Sequence, residues 1–166
     1  MNQRTRGFSL IELLIVVAII LIIAAIAIPS LLQARIAANE SSAVASLRTI
    51  NTAMVTYNST YPSQGFAANL TVLGPDANPC TPSSTNACLI DSALAAGWKA
   101  GYNFAATGGA PQNGANTNYY TTAIPVSLKV TGNRSFCADD DAVVRVQGTG
   151  AAIGSRAACA ALPPVQ

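Results

Sequence analysis

From Leu13 to Ile28 every residue is apolar, LLIVVAIILIIAAIAI, and counting back to Phe8 gives 21 residues interrupted only by Ser9 and Glu12. At about 1.5 Å per residue a helix of that length spans roughly 31 Å, close to the hydrocarbon thickness of a bilayer. A helix apolar on every side needs lipid or a thick protein jacket. The rest of this chain, rich in Gly, Ser, Thr and Asn, cannot supply the jacket. Arg4 and Arg6 precede the span and no acidic residue does, so the positive-inside rule puts the N-terminus in the cytoplasm and exports the residues after Pro29. An ordinary secretory signal is cut after its apolar region, at small residues. Here the small residue, Gly7, stands before it.

The helical pattern continues past Pro29. Ile36, Glu40, Ala43, Leu47, Ile50, Met54 and Tyr57 recur at alternating spacings of four and three, one helical face, with Glu40 its only polar member. Arg35, Asn39, Arg48 and Asn51 lie mostly off that line. The spacing predicts one helix from Phe8 to about Tyr57, apolar all round in its first half and amphipathic in its second. Pro29 lacks an N–H and crowds the preceding turn, so a kink is expected there without a break.

Composition narrows the function. The chain holds no histidine, which excludes Ser-His-Asp and Cys-His catalysis and histidine-ligated metal. No glycine-rich phosphate cradle follows a strand, and Asp76, Asp91, Lys99 and Lys129 stand isolated, so nothing argues for an enzyme or a cofactor. The net charge of +2 falls to zero without Arg4 and Arg6, too little for an electrostatic nucleic-acid footprint. Charged residues make up 10% of the chain against about 25% in ordinary soluble domains, as a membrane segment would cause.

After Tyr57 the texture changes. Pro62, Gly65, Gly74, Pro75, Pro79 and Pro82 mark a loop-rich connection, and Leu89 to Ala96 reads as a short helical turn closed by Gly97. Runs at Tyr102 to Ala106, Tyr119 to Pro125, Val126 to Val130, Arg134 to Ala138 and Val143 to Gln147 read as an antiparallel meander. Cys80, Cys88, Cys137 and Cys159 lie in the exported part, where two disulfides are expected; three connectivities exist, and proximity favours Cys80–Cys88 and Cys137–Cys159. A four-thiolate zinc site would need closer pairs. Asp139-Asp140-Asp141, the only acidic cluster, reads as a solvated turn between strands, with a calcium site as the sharper alternative.

The first third of the chain also carries a resemblance. A basic leader ending in Gly7, then Phe8-Ser9-Leu10-Ile11-Glu12, an apolar run and Pro29 resemble the class III signal of type IV pilins and pseudopilins. The resemblance implies a membrane prepilin peptidase that cuts between Gly7 and Phe8 and methylates the new Phe8 amine. It implies an α+β fold, with a long N-terminal helix packed on a small antiparallel-sheet head. The regions would be a leader at 1–7, a helix at 8–57 with 8–28 as membrane span and later filament core, a connecting region at 58–101, and a sheet with a disulfide-bounded C-terminal region at 102–166. Cys137–Cys159 would resemble the disulfide that bounds this region in many type IV pilins.

Glu12 is costly inside a membrane, on the order of 2.5–3.5 kcal/mol for an acidic residue near the centre and less near an edge. It would pair with a neighbour's Phe8 amine and set axial register. Many members carry a glycine where this chain has Leu21, which leaves loosening between Leu21 and Pro29 open. The implied function is a structural subunit that leaves the inner membrane with the help of an assembly machinery. It polymerises with its own kind into a surface pilus for adhesion and twitching motility. The alternative is a pseudopilin of a type II secretion or DNA-uptake system, with nucleic acid at most an uptake cargo. The acidic cluster is the internal hint toward it, since major pseudopilins carry calcium near the C-terminus. A third reading, a membrane-anchored binding or enzymatic domain, would need a polar, convergent cleft in the head.

Overall fold

A computed structural model describes residues 8–77, 79–109 and 111–165. Its longest element, α1, runs from Leu10 to Thr60 and passes through both compact units of the chain, 1–35 and 36–166.

In the first unit α1 opens at Ser9, whose carbonyl accepts the first helical bond, from the Leu13 N–H at 3.3 Å. Among the described residues none of the apolar side chains from Leu10 to Leu32 is buried. Helical structure runs unbroken from Leu21 through Pro29. With no side-chain partners, the main-chain ladder and the apolar residues' own helix propensity carry this segment.

In the second unit the same helix is one-sided. Ile36, Glu40, Ala43, Leu47, Ile50, Met54 and Tyr57 are all buried, so the four–three spacing marks the face that packs. Ser46, Asn51 and Ala53 join them, widening the buried stripe beyond the single line; Asn51, expected off that line, is buried as well. The opposite side carries Thr49, Thr52, Thr56, Ser59 and Thr60, and each hydroxyl donates to the carbonyl four residues back, at 2.8–3.1 Å.

Two short helices come next: α2 at Leu70–Leu73, capped by the Asn69 side chain, and α3 at Ser92–Ala95, capped by Asp91. Gly97 ends the second turn with a φ of +83°, a conformation that favours glycine. The strands are β1 Trp98–Lys99, β2 Tyr102–Gly108, β3 Pro111–Gln112, β4 Ala115–Asn116, β5 Tyr119–Pro125, β6 Ser135–Asp139 and β7 Arg145–Gln147; α4 at Arg156–Ala160 comes last. An antiparallel sheet of order β1-β2-β5-β6-β7 forms the head, and β3 and β4 make a separate hairpin turned by Asn113-Gly114, both at positive φ.

Alternation along the strands decides what each face meets. Tyr102, Phe104, Ala106, Tyr119, Ala123, Phe136 and Ala138 point inward and pack with Leu47, Ile50, Met54 and Tyr57 of α1 in one core. Gly132 lies against the Tyr102 ring, with no room there for a Cβ. On the other face Cys137 packs with Ile153, Cys159 and Leu162, so the C-terminal segment forms a third layer. That segment also covers the sheet edge: the Val146 N–H donates to the Pro163 carbonyl at 3.0 Å, and the Val165 N–H to the Val144 carbonyl at 2.9 Å.

One expected strand is absent. Val126 to Val130 is a tight turn, closed by donation from the Val130 and Thr131 N–H groups to the Ser127 carbonyl at 3.2 and 2.9 Å. Pro125 ends β5, and Lys129, with a φ of +65°, turns the chain away from a ladder. The apolar residues that suggested a strand, Val126, Leu128 and Val130, are exposed.

Candidate functional site

The candidate site is the start of α1 and the apolar surface behind it. Phe8 is fully presented, 81% exposed. Gly7, the other side of the expected cleavage bond, lies outside the described residues, as do Arg4 and Arg6. The Glu12 carboxylate accepts from the Ser9 backbone N–H at 3.1 Å. Ser9-Leu10-Ile11-Glu12 is thus half of a capping box, with Glu12 in the N3 position reaching back to satisfy an otherwise orphaned donor. Leu10, Ile11, Leu13 and Leu14 around it are all exposed. The arrangement offers one anionic group in an apolar wall, a geometry able to select a cation presented by another apolar surface.

Pro29 sits within α1. The four cysteines form Cys80–Cys88 and Cys137–Cys159, with Cα atoms 6.1 and 6.0 Å apart, and none is free. The first closes the connection after α2, and the second fastens α4 to β6.

Asp139 ends β6, and Asp140 and Asp141 lie in the turn that follows; all three carboxylates face guanidinium groups. Arg145 bridges Asp139, at 3.3 Å, and Asp141, while Arg156 of α4 meets Asp140 at 2.5 Å. Among the described residues no three acidic, cysteine or histidine side chains are grouped to hold a metal. Burial pushes the Asp139 carboxyl up, whereas the Arg145 guanidinium holds Asp141 well below the usual carboxylate range. Nearby Tyr119 is pushed up to about 12, first by burial and then by the negative charge of the three aspartates. The positive charge facing this cluster comes from arginine.

Two polar residues that the periodicity left unexplained anchor the head to α1. Glu40 accepts from the Asn133 and Arg134 backbone N–H groups at 2.9 and 3.2 Å, and from the Arg134 Nε at 2.8 Å. Asn51 donates to the Ala142 carbonyl at 3.3 Å and accepts from the Tyr119 hydroxyl at 3.4 Å. A polar residue at a core position, recurring in step with apolar ones, was the only available signal.

A helix that leaves one end bare of protein cover, continuing into a helix packed on an antiparallel sheet, is an α+β pilin-like fold. Residues 2–28 match the family model of the prokaryotic N-terminal methylation motif. The chain is similar to the type IV major pilin protein PilA of Myxococcus xanthus, 48% identical over 56 residues, which are 34% of this chain and 26% of that protein. It is also similar to the type IV wide pilus major component PilA4 of Thermus thermophilus, 56% identical over 45 residues, 27% of this chain and 34% of that protein. The matched stretch is thus at most about a third of either relative's length. No solved structure matches the chain. The N-terminal segment is thus similar to that of type IV major pilins, and those relatives are structural pilins, not enzymes.

Proposed function

We propose that this chain is a structural subunit of a type IV pilus. It waits in the inner membrane with its N-terminus cytoplasmic and its head exported, then joins copies of itself in a filament used for adhesion and twitching motility. What carries the reading is the uncovered apolar surface of α1 from Leu10 to Leu32, headed by Phe8 and Glu12. In lipid that surface is satisfied, and outside lipid it needs equivalent apolar partners, which identical helices supply.

A prepilin peptidase cuts between Gly7 and Phe8 and methylates Phe8. Glu12 then exchanges the Ser9 N–H for the cationic Phe8 amine of a neighbouring subunit, which pairs opposite charges and fixes axial register. The pseudopilin alternative drew its internal support from a calcium site at Asp139–Asp141, and those carboxylates are already paired with Arg145 and Arg156. Filaments sheared from cells and analysed by mass test the proposal. Long fibres made mainly of this polypeptide and starting at methylated Phe8 are expected. A chain that retains residues 1–7, or whose loss blocks protein export while leaving surface fibres intact, would refute it. In the same assay, Glu12→Gln should leave cleavage intact and abolish or misregister the fibres.

A further inference from the structure

The charges of the head are almost all used within it. Among the described residues from Ile36 onward, Glu40 pairs with Arg134, Asp91 with Lys99, Asp139 and Asp141 with Arg145, and Asp140 with Arg156. Three charged side chains have no ion-pair partner among those residues: Asp76, Arg48 and Lys129. Pairing among the described residues of the head therefore leaves one anion and two cations over.

Lys129 is presented in an unusual way. It stands at the tip of the Val126–Val130 turn with a φ of +65°, a left-handed conformation that a lysine rarely adopts. The Thr131 hydroxyl locks the turn, accepting from the Ser127 N–H at 3.0 Å and donating to the Ser127 carbonyl at 3.1 Å. Leu128 and Val130 flank the lysine, 49% and 54% exposed. The result is a knob held by the turn's own hydrogen bonds, among them the Lys129 N–H to the Gly132 carbonyl at 2.9 Å, apolar at its shoulders and cationic at its tip.

Concavities on the same head differ in charge. The one of about 460 Å³ beside Val55 carries the unpaired Arg48, and the one of about 310 Å³ beside Val44 carries Arg48 together with the Glu40–Arg134 pair, a net positive charge in each. A lysine tip is repelled from both. A third, of about 400 Å³ and mostly apolar, is lined by Pro75, Asp76, Ala77, Cys80 and Ser92 and carries the unpaired anion. Knob and concavity match in polarity and in sign.

We propose that the Val126–Val130 turn of one copy docks in the concavity lined by Pro75, Asp76, Ala77, Cys80 and Ser92 of the next copy, with Lys129 meeting Asp76 and Leu128 and Val130 covering the apolar wall. Knob and concavity are different patches of one chain, so the contact is head-to-tail. Such a contact can repeat from copy to copy, as a filament requires. The inference rests on the filament reading above and adds to it the contact that orients neighbouring heads.

Charge exchange tests it in filaments sheared from cells making the full chain, with leader-cleaved subunit in the membrane measured alongside. Lys129→Glu and Asp76→Lys should each lower filament yield at least about tenfold, through loss of attraction and like-charge contact. The double variant, with the charges swapped, should recover it. Wild-type yield from both single variants, a double variant no better than either, or equal rescue of Asp76→Lys by Arg48→Glu would overturn the contact while leaving the filament reading intact. Should a charge variant fail to accumulate, the pair Leu128→Cys and Ser92→Cys in one chain keeps the native charges. Its filaments should then run as a disulfide-linked ladder without reductant, and absence of the ladder overturns the docking. A wild-type chain that forms no filament overturns the filament reading and the contact with it.

Discussion

Glu40 offers a direct measure of what fastens the head to its helix. Its side chain is 7% exposed, and its two oxygens accept from two backbone N–H groups and from the Arg134 guanidinium, which is itself 50% exposed. Glu40→Gln keeps an acceptor for the Asn133 and Arg134 N–H groups but removes the charge facing Arg134. The half-exposed guanidinium rehydrates, so the expected cost is about 1 kcal/mol. Glu40→Ala strands both backbone donors beneath the helix. At about 1–3 kcal/mol for each unsatisfied donor, softened by water reaching the loop, the expected cost is about 3 kcal/mol. For a unit of this size that corresponds to a fall in Tm of roughly 10 °C for Glu40→Ala and roughly a third of that for Glu40→Gln. Thermal unfolding of the full chain in mild detergent, followed by the near-ultraviolet circular dichroism of its tyrosines, reads both. Equal destabilisation by the two variants would refute the assignment of the larger share to the backbone donors. A change below about 0.5 kcal/mol in both would refute the anchor altogether.

Three further outcomes concern the head. Removing Cys137–Cys159, which closes a separation of 22 residues, should cost about 3 kcal/mol by loop-closure entropy and more through lost cover of the sheet; removing Cys80–Cys88, separated by 8, should cost about 2.5 kcal/mol. Melts of the two double serine variants check that order. Added calcium or chelator should leave the melting temperature unchanged, because Arg145 and Arg156 already occupy the three aspartates. Acid should act in two opposed ways at this cluster. Asp141, depressed in the fold, contributes stability that is complete above its unfolded value near 3.8 and lost as pH falls toward its folded value. Asp139, raised in the fold, regains stability as pH falls through its elevated value. Melting temperature against pH should therefore hold or rise slightly just above the ordinary carboxylate range and drop below it. Asp139→Asn should remove the rise alone.

The helix was legible because its information is periodic and long. Seven positions at alternating spacings name one face, and 21 residues of nearly unbroken apolarity name a surface that no polar head could cover. The head was legible only in part, because short runs carry little phase information. Val126 to Val130 has the composition of a strand, yet its apolar side chains point outward from a turn, and the decisive influence is hydrogen bonding by Ser127 and Thr131. The β3–β4 hairpin had its signal in Asn113-Gly114, a dipeptide suited to consecutive positive φ. α4 had only Ser155 as a cap, and a helix of five residues depends on Cys159 being tied to β6. Glu12 and Phe8 stand out through the motif, whereas Glu40 and Asn51 work through partners 68 or more residues away, a pairing that spacing along one chain does not encode.

The hydroxyls along the solvent side of α1 have a consequence for dehydration. Thr49, Thr52, Thr56, Ser59 and Thr60 each return their proton to a carbonyl of the preceding turn. If another surface were to squeeze the solvent from that side, no O–H among these five would be stranded. By composition the strip looks hydrophilic, but only the acceptor lone pairs of its hydroxyls would lose water on desolvation.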